Sequence, residues 1–427
     1  MARGSSKGQT PTQAAAPARL ASLDAFRGFV ILTMIFVNYC SGMSGIPWWM
    51  EHAPADMDGY SYVDVVFPGF LFIVGVAIPL SLQKRIARGD SRWGLLFRII
   101  PRALSLMFLG TIFVSKENYS SEATGMPSYL WDFIFYLSMM VLWRVEPSPK
   151  GRGEGEGKVA RSAVSKILRI AAFAALAIIV VIFRQNLEDG AGTAWLRTSW
   201  WGILGMIGWA YLASSIAYLL TKGSQTALMG ILGFMIALYI GEMHGSLWDW
   251  VNGIENFLGV GGLFSAHAAL VVAGVLVGNL LVTEASHGTR LRFMFWLGLG
   301  LYTAGQLIRP LHKISKIGGT DAYVLVTAGE CALLLLLFYW LMDVKGWTKW
   351  ADFLVPVGVN PLLAYILPDF FNSVLSIIEK TGLRLWGFFW PLLEGGGWSA
   401  VGNAAIMTAI MLGLTGILTR KKLILKL

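Results

Sequence analysis

Residues 19–42 read RLASLDAFRGFVILTMIFVNYCSG and contain an apolar run long enough to cross a bilayer, because a spanning helix needs about 20 mainly apolar residues. At about 100° per residue, Asp24, Arg27 and Asn38 fall within roughly 60° of one another on this helix. Polar groups are costly against lipid, so this face is expected to point into a helical bundle or a water-filled path. The simpler alternative is an Asp24–Arg27 pair that anchors the helix end, with Asn38 as a packing residue.

The composition of the whole chain agrees with a membrane protein. Of its 427 residues, 56% are hydrophobic and only 14% are charged, whereas a soluble domain carries roughly 25% charged residues. A soluble enzyme and a disordered chain are therefore excluded. The sequence predicts an all-α, polytopic transmembrane helical bundle of about 12 spans, within a range of roughly 10 to 12. The candidate spans are 24–44, 62–83, 93–115, 128–143, 167–184, 200–221, 226–243, 265–283, 291–309, 322–342, 351–372 and 398–419.

Lysine and arginine set the expected orientation. The basic segments 84–102 and 144–169 and the basic tail 420–422 fall on one side if the helices alternate, which predicts that both termini are cytoplasmic. The net charge of +9 then reflects cytoplasmic loops and indicates no nucleic-acid partner. Residues 309–316 are equally basic but are expected outside. They are expected either to meet an anionic group or to be a tolerated short loop.

The predicted domain organisation is simple. Residues 1–22 are expected to form a flexible cytoplasmic tail, and residues 23–427 a single transmembrane domain. Within it, PSPKGRGEGEGK at 147–158 is predicted to be a flexible cytoplasmic linker loop. The histidine spacings match no ligand motif, so no metal is expected.

A candidate catalytic pair follows the first span. His52 lies in the short outer loop, and an imidazole can take a proton from an attacking amine or hydroxyl. Asp64 begins the second span, where a carboxylate is costly unless it is paired or solvated, and it is placed to orient His52. The alternative is that His52 is an ordinary surface histidine.

The segments RLASLDAFRG, VNYCSG, His52-Ala53 and YVDVVFPGFLFIVG together resemble the opening of the heparan-α-glucosaminide N-acetyltransferase family of polytopic membrane acyltransferases. The resemblance implies acetyl transfer from cytosolic acetyl-CoA to an amino sugar across the membrane, with His52 as the catalytic histidine. The matching positions are Arg19, Ser22, Asp24, Arg27, Gly28, Asn38, His52, Asp64, Phe67, Pro68 and Gly75.

Two later segments extend the resemblance. HKISKIGGTDAYVLVTAG at 312–329 aligns Lys313 with a family lysine and places His312 where an asparagine is usual. VGVNPLLAYIL at 357–367 resembles a second family motif. Catalytic roles are thereby expected for His52 and Asp64. Substrate or acetyl-CoA binding is expected for Asp24, Arg27, Asn38, Lys313, Asn360 and Tyr365.

The predicted function is transfer of an acetyl group to an amino sugar or envelope-glycan hydroxyl on the outer side of a bacterial cytoplasmic membrane. Acetyl-CoA is the expected donor, and membrane lipids are the expected surroundings. The expected assembly is a homo-oligomer or a subunit of a membrane complex. One alternative is a proton-coupled transporter or flippase that uses Asp24, Arg27, Asp64 and the intramembrane Glu330. Another is a non-catalytic acyltransferase-like subunit of a membrane complex.

Overall fold

The computed structural model describes residues 20–41, 43–145, 156–187, 190, 192–197, 202–243, 266–381, 389, 392 and 396–426, without the side chains of 156–163 and 242–243. These residues form fourteen α-helices and one two-stranded antiparallel hairpin, β1 (Gln185–Asn186) and β2 (Thr193–Ala194). The helices are α1 (Ala21–Cys40), α2 (Val66–Ile86), α3 (Arg92–Ser115), α4 (Ser121–Thr124), α5 (Ser128–Leu142), α6 (Glu156–Ile182), α7 (Ile203–Leu220), α8 (Gln225–Met243), α9 (His267–Leu281), α10 (His287–His312), α11 (Asp321–Tyr339), α12 (Val355–Val359), α13 (Pro361–Lys380) and α14 (Gly397–Arg420).

The predicted all-α polytopic class is confirmed. Over the described ranges, eight helical segments are long and apolar enough to cross a membrane, and α5, most of α8 and α9 are shorter apolar helices. Each predicted span overlaps a helix of at least 15 residues, while α4 and α12 are short connecting helices. The chain is therefore an integral membrane protein built from packed helices.

The predicted tail and linker lie mostly outside the described residues, which omit 1–19 and 147–155. Where the description resumes, α1 already begins at Ala21 and α6 begins at Glu156. The last two residues of the predicted tail and the last three of the predicted linker are therefore helical.

Small residues allow the central helices to pack closely. A Cβ at Gly75 of α2 would overlap the main-chain oxygen of Val271 in α9, and a Cβ at Gly274 would overlap that of Phe72. Such close approach of two backbones is the usual role of glycine between membrane helices. It fixes the position of α2, whose first turn follows Asp64.

The first helix lies in the buried centre of the bundle. Near its start, a Cβ at Gly358 of α12 would overlap the main-chain oxygen of Asp24. The Arg27 guanidinium donates to the Gly358 carbonyl at 3.0 Å and to Asp24 Oδ1 at 3.3 Å. From Asp24 the chain runs along α1 for about 24 Å before it reaches the loop that carries His52. We call that end of the bundle the His52 end.

Candidate functional site

His52 and Asp64 form a hydrogen-bonded pair at the His52 end. Ser61 caps a single 3-10 turn, Tyr62–Val65, and Asp64 completes a capping box by accepting from the Ser61 amide at 3.0 Å. Asp64 Oδ2 also accepts from the Ala53 amide at 3.1 Å, which folds the loop back onto the helix start. Asp64 Oδ1 lies 2.7 Å from His52 Nδ1. The local cap thus aims the carboxylate at the imidazole.

The surroundings of the pair decide which ring nitrogen is available. The Asp64 side chain has no exposed surface, whereas the His52 side chain is 50% exposed. An ionised carboxylate only accepts hydrogen bonds, so the contact with Asp64 favours the tautomer that is protonated at Nδ1. The lone pair of a neutral His52 is then on Nε2. This is the arrangement of a general base oriented by a buried acid.

A lysine that the sequence did not indicate as a site residue completes this cluster. Lys316 Nζ lies 2.8 Å from His52 Nδ1 and 3.2 Å from Nε2, and it lies 3.5 Å from Asp64 Oδ1. Burial lowers the pKa of the Lys316 ammonium, while the attraction of Asp64 opposes that shift. The site therefore contains one buried carboxylate, one imidazole and one largely buried ammonium.

The basic segment 309–316 is held against the His52 loop. The Arg309 guanidinium donates to Asp58 Oδ2 at 3.1 Å, and the Ile314 amide donates to Asp58 Oδ1 at 2.8 Å. The Gly59 amide donates to the Ile314 carbonyl at 2.9 Å. The Ile314 amide and the Arg309 guanidinium hold the pKa of Asp58 below its ordinary value. Within the described residues, this basic segment pairs with two carboxylates of the protein, Asp58 and Asp64.

A second histidine–aspartate pair lies where α10 ends and α11 begins. His312 Nδ1 lies 2.8 Å from Asp321 Oδ2, and both side chains are at least nine-tenths buried. Thr320 caps α11 by accepting from the Tyr323 amide at 3.3 Å. The Tyr323 hydroxyl donates to the main-chain oxygen of Asp64 at 2.6 Å. The deeply buried second pair thus helps to hold the helix that supports the exposed first pair.

Glu330, whose role the sequence left open, accepts a hydrogen bond from the Tyr60 hydroxyl at 2.5 Å. Burial and the neighbouring carboxylate raise the pKa of that hydroxyl. This contact ties α11 to the loop between His52 and Asp64. It gives Glu330 a structural contact with the site loop.

The other expected binding residues are spread over the molecule. Asp24 and Arg27 lie at the opposite end, where they contact α12. Asn38 lies near the His52 end of α1, is exposed, and has no side-chain hydrogen bond to any described residue. Lys313 has a positive φ of 56° and lies close enough to Asp58 to lower its pKa. Among the described contacts, the lysine against His52 is Lys316.

Asn360 and Tyr365 pack inside the bundle. The Asn360 amide donates to the Leu423 carbonyl at 2.7 Å and to Thr419 Oγ1 at 3.0 Å, and its oxygen accepts from the Leu425 amide at 3.0 Å. These contacts join the α12–α13 junction to the C-terminal segment. The Tyr365 ring packs against Phe113, with ring centroids 5.3 Å apart. Neither residue contacts His52, and the polar atoms of Asn360 are fully used by the protein.

Among the described residues, no group of three or more histidine, cysteine, aspartate or glutamate side chains is arranged to hold a metal ion. Cys40 and Cys331 are both buried thiols. The ionisable groups that the described residues bring together at His52 are its imidazole, the Asp64 carboxylate and the Lys316 ammonium.

The fold and this site define a polytopic helical membrane protein with a buried carboxylate that orients a partly exposed histidine. A family model described as "Domain of unknown function (DUF5009)" matches residues 19–260, more than half of the chain, and the chain belongs to that family. The human (Homo sapiens) heparan-alpha-glucosaminide N-acetyltransferase is 41% identical over 105 residues, which are 25% of this chain and 15% of that protein. The mouse (Mus musculus) protein of the same name is 37% identical over 111 residues, which are 26% of this chain and 16% of the mouse protein.

The resemblance predicted from the sequence is therefore confirmed. The aligned stretch covers about one sixth of these curated relatives.

Proposed function

We propose that this protein is a membrane-bound acetyltransferase that transfers the acetyl group of acetyl-CoA to an amino sugar or a glycan hydroxyl, with His52 as general base. The observation that carries the proposal is the hydrogen bond between His52 Nδ1 and the buried Asp64 carboxylate at 2.7 Å. That bond leaves Nε2 as the basic nitrogen of a half-exposed ring. The name of the human and mouse relatives, heparan-alpha-glucosaminide N-acetyltransferase, supplies the reaction class.

The reaction follows from this arrangement. The acceptor amine or hydroxyl attacks the thioester carbonyl carbon while His52 Nε2 takes its proton, which forms the new C–N or C–O bond. The tetrahedral intermediate collapses, the C–S bond breaks, and the thiolate of CoA receives that proton from the imidazolium. Asp64 remains ionised throughout and stabilises the charged ring, in the role of the third member of a catalytic triad.

Lys316 supplies the positive charge that such an intermediate needs. Its ammonium lies within 3.2 Å of His52 Nε2, next to the position where the reacting carbonyl has to lie. Binding of the acceptor at Nε2 displaces the ammonium from the ring and leaves it available to the developing oxyanion. Removing one such donor typically reduces kcat by about 10²–10³.

The proposal extends to the topology. We infer about 12 spans with both termini in the cytoplasm, within a bacterial cytoplasmic membrane. The His52 end then faces outwards, and Asp24 and Arg27 lie about 20 to 24 Å from that end of α1, near the cytosolic source of acetyl-CoA. Arg27 is placed to meet a CoA phosphate, and the exposed Asn38 lies on the route between the two ends. We also infer a single domain for residues 23–427.

The test is acetyl transfer from radiolabelled acetyl-CoA to glucosamine by the purified full chain in lipid nanodiscs. His52→Gln is expected to lower the rate at least a hundredfold, whereas His287→Gln, at the opposite end, should leave it within threefold. Unfolding temperatures show whether both variants are folded. A folded His52→Gln protein with the wild-type rate would refute the proposal. Acetyl-CoA should also raise the unfolding temperature, which neither a proton-coupled transporter nor a non-catalytic subunit predicts.

A further inference from the structure

A cavity with three arginines lies at the end of the bundle opposite to His52. It lies between α2, α3 and α7 and has a volume of about 360 Å³. Small-molecule sites have volumes of about 300 to 1,000 Å³. Its polar lining includes Arg85, Arg98 and Arg102, together with two serines and a tyrosine, and none of its lining residues is acidic. The nearest carboxylate partner of Arg85 is Asp90, at 3.7 Å and outside the lining.

The position of the cavity follows from the course of α2. This helix begins at Val66, two residues after Asp64, and ends at Ile86, about 30 Å further along the bundle. Arg85 is in its last turn. The cavity is therefore separated from the His52 cluster by roughly the thickness of a bilayer core.

The outer face of α3 is apolar and open. Trp93, Phe97, Leu104 and Phe108 are exposed by 72%, 82%, 56% and 43%, and at 100° per residue they form one stripe along the helix. In a membrane protein an exposed stripe of this length is the surface that contacts lipid chains.

Arg98 and Arg102 lie beside that stripe. They are one turn apart, and the helical angle places them between the exposed stripe and the packed face of α3, where Leu95 and Ile99 are fully buried. Lysines and arginines that only follow the cytoplasmic charge bias extend into water from loops. Arg98 and Arg102, both exposed, lie within α3 itself and line the cavity beside its apolar stripe.

Aromatic contact orients one of the guanidinium groups. The Arg102 guanidinium carbon lies 5.0 Å from the centre of the Tyr211 ring in α7, which is a cation–π contact. Ser105 adds a hydroxyl to the same lining, as does Ser81, whose own O–H donates to the Ile78 carbonyl at 3.0 Å. Planar guanidinium groups with neighbouring hydroxyls are the donors that recognise phosphate oxygens through paired hydrogen bonds.

We propose that this cavity binds the phosphate of an anionic phospholipid headgroup, with the acyl chains of that lipid along the apolar stripe of α3. Basic pockets between membrane helices recognise anionic headgroups in this way. The neighbouring stripe favours a lipid over a soluble phosphate, because only a lipid fills the cavity and covers the adjacent apolar surface together. This site is independent of the reaction proposed for His52.

The experiment measures the unfolding temperature of the full chain in neutral detergent with added phosphatidylglycerol, phosphatidylcholine, inorganic phosphate or coenzyme A. Phosphatidylglycerol is expected to raise this temperature in a saturable manner that depends on Arg98, whereas phosphatidylcholine and inorganic phosphate should have little effect. Any shift produced by coenzyme A at its own site should be unchanged in Arg98→Gln. Arg98→Gln should weaken the apparent affinity for phosphatidylglycerol at least fivefold, and the double variant Arg98→Gln/Arg102→Gln should abolish the shift. Arg88→Gln removes an equal charge outside the lining and should behave as wild type.

Native mass spectrometry of retained lipid provides a second measurement if the double variant is unstable, because Arg98→Gln alone should lose bound phosphatidylglycerol. Retention of the lipid-dependent shift and of the bound lipid in the arginine variants would overturn the proposal. A shift produced by inorganic phosphate or coenzyme A, dependent on Arg98, would overturn it too and would assign the cavity to a soluble phosphate.

Discussion

Lys316 Nζ lies 2.8 Å from His52 Nδ1, although the two residues are 264 positions apart in the chain. Both side chains converge on the same Asp64 oxygen. A buried carboxylate is thereby shared by an imidazole and an ammonium, and protonation of the imidazole has to occur beside an existing positive charge. This relationship places Lys316, and not the neighbouring Lys313, in contact with the proposed base.

Replacement of Lys316 should therefore affect the chemical step. We expect Lys316→Met to lower kcat by about 10- to 1,000-fold with little change in KM, because the proposed oxyanion contact is made in the transition state. The matched variant Lys313→Met should show a much smaller decrease in kcat. Steady-state kinetics with acetyl-CoA and glucosamine measure both. Equal losses in the two variants would contradict the assignment of Lys316 to the site.

The two histidine–aspartate pairs should respond differently to the same substitution. Asp64→Asn removes the charge that orients a half-exposed base, and kcat of the folded protein should fall by about 10²–10⁴. The unfolding temperature should fall as well, because the buried carboxylate also accepts from the Ser61 and Ala53 amides. Asp321→Asn alters a buried pair at the start of α11. We expect a lower unfolding temperature, with residual activity in the folded fraction. Kinetics and thermal unfolding of both variants test this, and the reverse pattern would make His312 the catalytic histidine.

Acid should weaken the contacts that Asp58 makes with Arg309 and with the Ile314 amide in the segment 309–316. The pKa of Asp58 is below its ordinary value of 3.8 in the folded protein. The ionised Asp58 carboxylate thus contributes its full stabilisation at pH values above its ordinary pKa. This stabilisation is lost as the pH falls through the lowered pKa of the folded protein. Pepsin should cut the 313–320 loop only at the lowest pH values in the wild type.

Asp58→Asn tests the origin of this acid dependence. It should be cut at this loop even near pH 5, because the neutral amide cannot pair with the Arg309 guanidinium. Asp56→Asn removes an exposed carboxylate from the same loop and should keep the wild-type pattern. If pepsin cut Asp58→Asn and the wild type alike at every pH tested, the attachment of the segment 309–316 would not depend on this ion pair.

The sequence was informative where structure is local. Apolar runs predicted the helices, and the twelve-residue spacing between His52 and Asp64 was close enough for their pairing to be predicted. It did not indicate Lys316 as a site residue, since its approach depends on how α10 and α11 bring a distant loop across the His52 end. The same limit applies to Asp321, because its pairing with His312 also depends on how α10 and α11 meet.

Asparagines were harder to interpret because a single residue type serves both binding and packing. Asn38 and Asn360 both belong to segments that resemble the acetyltransferase family. Burial separates them: Asn38 is exposed and Asn360 has no exposed surface. A sequence pattern carries no information about which amide is already saturated by hydrogen bonds to the protein.

Alanine at each asparagine should separate binding from stability. Asn360→Ala leaves the Leu425 amide and the Leu423 carbonyl without their partners, and each unsatisfied buried group costs about 1–3 kcal/mol, so we expect a clear loss of unfolding free energy. Asn38→Ala removes no hydrogen bond to a described residue, and its unfolding free energy should stay within about 0.5 kcal/mol of wild type. Its rate of acetyl transfer should nevertheless fall, because an exposed amide near the His52 end is free to contact a substrate. Denaturant unfolding in mixed micelles measures the stability, and the acetyl-transfer assay measures the rate. If Asn360→Ala were stable but slow in acetyl transfer, Asn360 would be a substrate-binding residue and not a packing residue of the C-terminal segment.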